Sequence, residues 1–149
     1  MKENILIDKS ILFAARIVKL NQYLIKIKKE TIISKQIVRS GTSIGANINE
    51  ANYGQSKADF ISKMHIALKE TAETEYWIKL LYKSEYIDEK SSISLLTDCL
   101  ELKRILIASI NTAKSKNHTW FLFKFFHTVA HESDFSFCII HFSLFIIHY

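Results

Sequence analysis

Residues 39–81 read RSGTSIGANINEANYGQSKADFISKMHIALKETAETEYWIKLL, and the fold is decided there. With Ile33 and Ile37 just upstream, Ile44 and Ile48 mark one side of a helix whose centre holds only small residues besides Ile44: Ser40, Gly41, Thr42, Ser43, Gly45 and Ala46. Each glycine costs a helix interior about 1 kcal/mol relative to alanine, so a compensating gain is required. Gly41 and Gly45 share one face, and a face without side chains lets a second helix backbone come close, as in a GxxxG seam. A phosphate loop is the competing reading, but it needs a Lys-Ser/Thr ending and a preceding strand, and the sequence offers neither. The pattern predicts a helix that starts near Thr31 or Ser34 and is closed by Gly54 as a C′ residue.

Working outward, Ser56 followed by Asp59 has the form of a capping box opening a third helix. From there to Ser84, Phe60, Met64, Ala67, Thr71, Ile78 and Leu81 run along one face, widened by Trp77, Leu80 and Tyr82. The stretch SEYIDEKSS breaks the pattern, and Asp88 or Ser91 can cap a fourth helix reaching about Lys114. That helix turns Leu95, Leu96, Cys99, Leu102, Leu106 and Ile110 inward. On the N-terminal side, Phe13, Ile17, Leu20, Leu24 and Ile27 alternate spacings of four and three. A second strip, Ile7, Ile11, Ala14, Val18 and Ile25, runs beside it, so this helix is expected to touch two neighbours in a bundle that also self-associates. The expected fold class is all-α, an antiparallel up-down-up-down four-helix bundle over residues 1–115.

Composition agrees with helices. The 149 residues include no Pro and three Gly, which argues against turn-rich β-sandwiches and barrels, and 48% apolar residues suffice for the core of one domain. Cys99 and Cys138 lack CxxC spacing and MKENILIDKS has no apolar signal core, so a cytoplasmic location with reduced thiols is expected. Residues 116–149 break with the rest: they hold eight of the ten Phe, five of the six His and only four charged groups, with no sustained period. The run Phe135 to Tyr149 is broken by His141 and Ser143 and is shorter than the ~20 residues of a spanning helix, so no membrane span is expected. This segment reads as a hydrophobic, aromatic tail outside the bundle, disordered or non-native.

No reaction chemistry emerges. Di-iron bundles need inward Glu-x-x-His pairs, and His65 has no Glu three positions before or after it. His127, His131 and Glu132 follow H-x-x-x-H-E, which is neither the zincin nor the inverzincin order, and Ser43 lacks a GxSxG elbow. No cofactor and no metal is expected. Glu50 and Glu73 are expected to have a structural or interface role, in which buried polar groups fix helix register through hydrogen bonds.

Charge is the informative quantity. Of the net +5, residues 1–39 contribute +6, nine Lys/Arg against three acids. Arg16, Lys19, Tyr23 and Lys26 recur at spacings of three, four and three, a basic stripe with an aromatic inside it. Lys29, Lys35 and Arg39 extend it across the first two helices into one candidate patch for RNA or DNA phosphates; a plain solvated lysine face is the alternative. In an oligomer the patch would recur, and multivalency would strengthen weak single sites.

Residues 39–81 closely resemble the bacterial 23S ribosomal RNA intervening-sequence family. Arg39-Ser40-x-x-Ser43-Ile44-x-x-Asn47-Ile48-x-Glu50-Ala51 matches its second-helix signature, and Phe60, Ala67, Lys69-Glu70, Glu73, Glu75 and Trp77 match its third helix. The resemblance implies a left-twisted four-helix bundle, assembled as a ring that is typically a homopentamer, without enzymatic activity. It also makes Ser43, Gly45, Asn47, Glu50, Glu73, Glu75 and Trp77 the motif and structural positions of this chain. A related branch serves as the accessory protein of diversity-generating retroelements, where a basic ring binds nucleic acid and a reverse transcriptase. The partners implied are further copies of the chain, RNA or DNA held through phosphate contacts, and a protein partner. Members usually stop near the end of the fourth helix, so the family says nothing of residues 116–149.

Overall fold

A computed structural model of the chain describes residues 4–115. The expectations for residues 116–149, including the aromatic tail, His127, His131, Glu132 and Cys138, lie outside the described residues. Four helices form the described part: α1 (Ile5–Lys26), α2 (Ile33–Asn52), α3 (Lys57–Lys83) and α4 (Glu89–Lys114). Each begins where a local group satisfies its first free N–H donors. Asn4 Oδ1 accepts from Leu6 at 3.2 Å and Ile7 at 3.4 Å. Ser56 Oγ accepts from Asp59 N–H at 3.1 Å, while the Asp59 carboxylate reaches back to the N–H of Gln55 at 3.1 Å. Of the two candidates for α4, Asp88 is the cap: its Oδ1 accepts from Ser91 N–H at 2.7 Å, and this bond holds its carboxyl below the ordinary range. α2 begins at Ile33, between the two expected starts, for a reason given below.

The helices wrap one core built from Phe13, Ile17 and Leu24 of α1, Ile37, Ile44 and Ile48 of α2, Met64, Ala67, Ile78 and Leu81 of α3, and Leu95, Cys99, Leu102, Leu106 and Ile110 of α4. Burial pushes the Cys99 thiol up to about 12. Two apolar marks on α1 differ from the expected stripe. Ile27 is 68% exposed because the chain is already leaving the helix at that residue, and Leu20 is half-buried. Leu6, Ser10, Ser34, Ser40, Thr74 and Ser92 are buried without being marked by the apolar periodicity, since most are small polar residues.

Consecutive helices pack on one another, and α1 also meets α4 along the thinnest of the seams. Chain direction reverses across α1/α2, where Ile17 faces Gly41 and Ser10 faces Gly45. It reverses across α2/α3, where Arg39 meets Glu73 and Glu50 meets Lys63, and across α1/α4, where Lys9 meets Glu101 and Arg16 meets Asp98. The small residues of α2 do make a close seam: a Cβ on Gly41 would stand 2.8 Å from Ile17 Cγ2, and one on Gly45 would stand 3.2 Å from Ser10 Oγ. On the other side of α2, the buried hydroxyls of Ser40 and Thr74 are hydrogen-bonded at 2.9 Å.

Gly54 follows α2 but is not in the left-handed region expected of a C′ glycine. Close approach fixes it instead, because a Cβ there would lie 3.1 Å from both the Ala51 carbonyl oxygen and the Phe60 nitrogen. Among the described residues, the left-handed ones are Lys29 (φ 55°) and Glu85 (φ 60°). At Glu85 the turn is a Schellman motif, with Tyr86 N–H donating to the Leu81 carbonyl at 2.9 Å and Glu85 N–H to that of Tyr82 at 3.0 Å.

Candidate nucleic-acid interface

The end of α1 and the turn from it to α2 carry three of the nine basic residues of the N-terminal third. Lys26 ends α1, and Lys28 and Lys29 follow it into solvent, while Glu30 points inward and is buried. Glu30 Oε1 accepts from Ile32 and Ile33 N–H, both at 2.8 Å, and Oε2 from Ser34 N–H at 2.7 Å. Burial pushes this carboxyl up, but the three backbone bonds outweigh burial and leave it lowered. Glu30 thus replaces the missing side-chain cap and sets the start of α2 at Ile33. A helix N-terminus is a ready anion site, and here the chain's own carboxylate fills it. The cationic groups that this turn presents to solvent are therefore lysine ammonium groups, not helix N–H donors. Lys19, Lys26, Lys28, Lys29 and Lys35 are all exposed, and none forms an ion pair among the described residues.

The two arginines of the sequence patch are differently placed. Arg16 bonds to the Asp98 carboxylate and places Nη2 2.8 Å from Ser94 Oγ, so its guanidinium joins α1 to α4. Arg39 stands 3.5 Å from Glu73 Oε1, which also accepts Trp77 Nε1–H at 3.1 Å, although the Arg39 side chain stays 70% exposed. Within the patch read from the sequence and its neighbour Lys28, the cations without an ion pair among the described residues are therefore the five lysines, three of them at the turn.

Tyr23 lies at this same end. It lines an open cleft with Lys28 and with Tyr82, Glu85, Tyr86, Ile87 and Asp88, from the end of α3 and the connection after it. Lys28 Nζ lies 6.0 Å from the Tyr23 ring centroid, and Lys83 Nζ lies 5.6 Å from that of Tyr82. The basic stripe identified Tyr23 and Lys26, but Lys28, Tyr82, Tyr86 and Glu30 were not marked as site residues. A usable signal existed, since antiparallel helices with short connections bring the first and third connections to one end.

The motif residues lie mainly on the α2/α3 side and hold secondary structure together. Asn47 Nδ2 donates to the Ser43 carbonyl at 2.8 Å within α2. Glu50 is exposed and pairs with Lys63 at 2.5 Å, and Glu73 sits at the rim, so neither is the buried register group expected; both lie too far toward solvent. Glu75 comes nearest to that role, bonded to Lys103 at 2.8 Å and Lys79 at 2.5 Å, which hold its carboxyl below the ordinary range. Trp77 packs edge-on against Tyr76 with centroids 5.0 Å apart. No three His, Cys, Asp or Glu side chains among the described residues are grouped to hold a metal ion. No helix among them is long and apolar enough to cross a membrane.

A sequence profile of the 23S rRNA-intervening sequence protein family matches residues 2–108. The chain belongs to this family. Among solved structures, this family member is similar to a crystal structure from Bacteroides thetaiotaomicron VPI-5482, described as a protein with unknown function from the S23 ribosomal protein family. The two are 53% identical with a TM-score of 0.71, and the match covers 71% of this chain and 98% of the other. A search of curated proteins gives no match.

Proposed function

We propose that this intervening-sequence protein is a non-enzymatic, self-associating bundle that binds RNA or DNA through phosphate contacts at its lysine-rich α1/α2 end. The observation that carries the reading is the local cluster at this end: Lys26, Lys28 and Lys29 lie within four residues, all exposed and without an ion pair among the described residues, with Lys19 and Lys35 on the flanking helices, while the one acid of the turn, Glu30, is turned inward. Charge that is neither paired nor needed for packing is what phosphate neutralisation uses. Self-association is supported by Ile11 and Leu12, 60% and 68% exposed, and by Val18 and Ile25 beside them on α1. A ring, five copies on the family resemblance, would repeat the lysine cluster around its rim.

Charge reversal of Lys26, Lys28 and Lys29 together is expected to abolish retention of duplex DNA and structured RNA at low salt. The wild type should lose affinity steeply as salt rises. Unchanged binding by the reversed variant rejects the interface, and a monomeric mass in the same buffer rejects self-association. The exposed α1 strip also favours a second reading, an accessory subunit that docks a partner enzyme such as a reverse transcriptase. Capture of a defined partner that survives nuclease treatment and is lost in Ile11→Glu would favour it.

A further inference from the structure

We propose that the cleft between Tyr23 and Tyr82 is a stacking site for an unpaired nucleobase, so that this end of the bundle prefers single strands over duplexes. The inference rests on the nucleic-acid reading above and names the form that is bound. Three tyrosines from α1, the end of α3 and the connection after it line one open cleft, and none of these rings stacks on another aromatic ring among the described residues. Tyr23 is 40% exposed, so part of its ring is available at the mouth. Duplex phosphates make no use of such rings because paired bases already stack on one another, whereas an unpaired base presents two free faces.

The charges sort the two parts of a nucleotide. Glu85 and Asp88 line the cleft and oppose a bare phosphate inside it. The Asp88 carboxylate is occupied, since it takes the Ser91 N–H at 2.7 Å and the Ser91 hydroxyl at 3.0 Å. The Glu85 carboxylate has no such partner among the described residues and suits the amino and imino donors on a base edge. The ammonium groups of Lys28, over the Tyr23 ring, and Lys83, over the Tyr82 ring, sit on flexible stems that an entering base displaces to the rim, where, with Lys26 and Lys29 close by in sequence, they meet its sugar-phosphate chain. The base goes in and the phosphates stay on the rim.

The test is fluorescence anisotropy with the full chain, using short labelled single-stranded RNA and DNA of mixed sequence and the corresponding blunt duplexes. The wild type should bind the single strands more tightly. Tyr23→Ala should weaken single-strand binding about tenfold or more, and by a much larger factor than it weakens duplex binding. Tyr23→Phe should retain it, and Tyr23→Leu, which keeps bulk without a π face, should behave like the alanine variant. Full single-strand affinity in Tyr23→Leu, or equal loss on both forms, overturns the stacking site. If the triple lysine reversal abolishes all binding while the Tyr23 variants bind as wild type, the phosphate interface stands and the base site fails. No binding by the wild type to any probe fails the nucleic-acid reading itself and this inference with it.

Discussion

α1 is held on its two sides by different physics. Toward α2 it meets a face stripped of side chains, where Ile17 fills the space above Gly41 and Ser10 that above Gly45. Toward α4 the seam is thinner and is tied by charge, Lys9 to Glu101 at 3.0 Å and Arg16 to Asp98. Steric fit in a dry seam is short-ranged and indifferent to salt. Ion pairs whose side chains are more than a third exposed contribute little and are screened. One helix thus has a rigid side and a soft side, and destabilisation should start at the soft side.

The strongest way to break the comparison is Gly41→Ala. The added Cβ would press on Ile17, itself fully buried, and despite the better helix propensity we expect a loss of about 2 kcal/mol in denaturant unfolding. Combined with Ile17→Ala, which removes both γ carbons that the new Cβ would meet, the total loss should be smaller than the sum of the two single losses, and additive effects would disprove the contact. Glu30→Ala comes next, because it strips the acceptor from three N–H groups at the junction of the rigid pair; about 1–2 kcal/mol is expected. The sign with pH follows from the lowered carboxyl pKa values of Glu30 and Glu75. Their stabilisation is present above the unfolded value of 4.5 and is lost as pH falls through their lower folded values. Melting temperature should therefore drop with acidification below about 4.5, and Glu30→Gln should flatten that fall.

On the soft side, Arg16→Ala should cost no more than about 1 kcal/mol, with most of the difference from wild type disappearing at high salt. A salt-independent loss would mean that the Arg16 stem packs rather than pairs. The smallest effect is expected at Gly45→Ala. There a 3.2 Å approach to Ser10 Oγ opposes a propensity gain of about 1 kcal/mol, and the two should nearly cancel. Together with Gly41→Ala, this substitution sharpens where along the seam the helices are closest.

Legibility in the sequence divides along the same physical line. Helical periodicity exposed Phe13, Ile17, Ile37, Ile44, Ile48, Leu102 and Leu106 as core because apolar side chains recur with the helix turn. The glycines of α2 could be read as a close seam because their propensity cost demanded one. Glu30 was illegible, since a charged residue between helices ordinarily faces water and only the turn geometry sends it inward. The pairing of Arg16 was illegible for a related reason: spacing on α1 shows which residues share a face, but not that Asp98 and Ser94 of α4 stand opposite. The Tyr23 cleft required pairing residues far apart in sequence, and no single-helix pattern contains Tyr82 or Tyr86.

Cys99 gives the bundle a built-in clock. Its thiol is fully buried and pushed up to about 12, so near neutral pH neither the thiolate nor access for a reagent is available in the closed state. Alkylation at Cys99, followed by peptide mass, would count openings that reach the centre of the molecule while fraying at the helix ends stays silent. Comparing that rate with and without bound nucleic acid would report whether occupancy at the lysine-rich end steadies the interior.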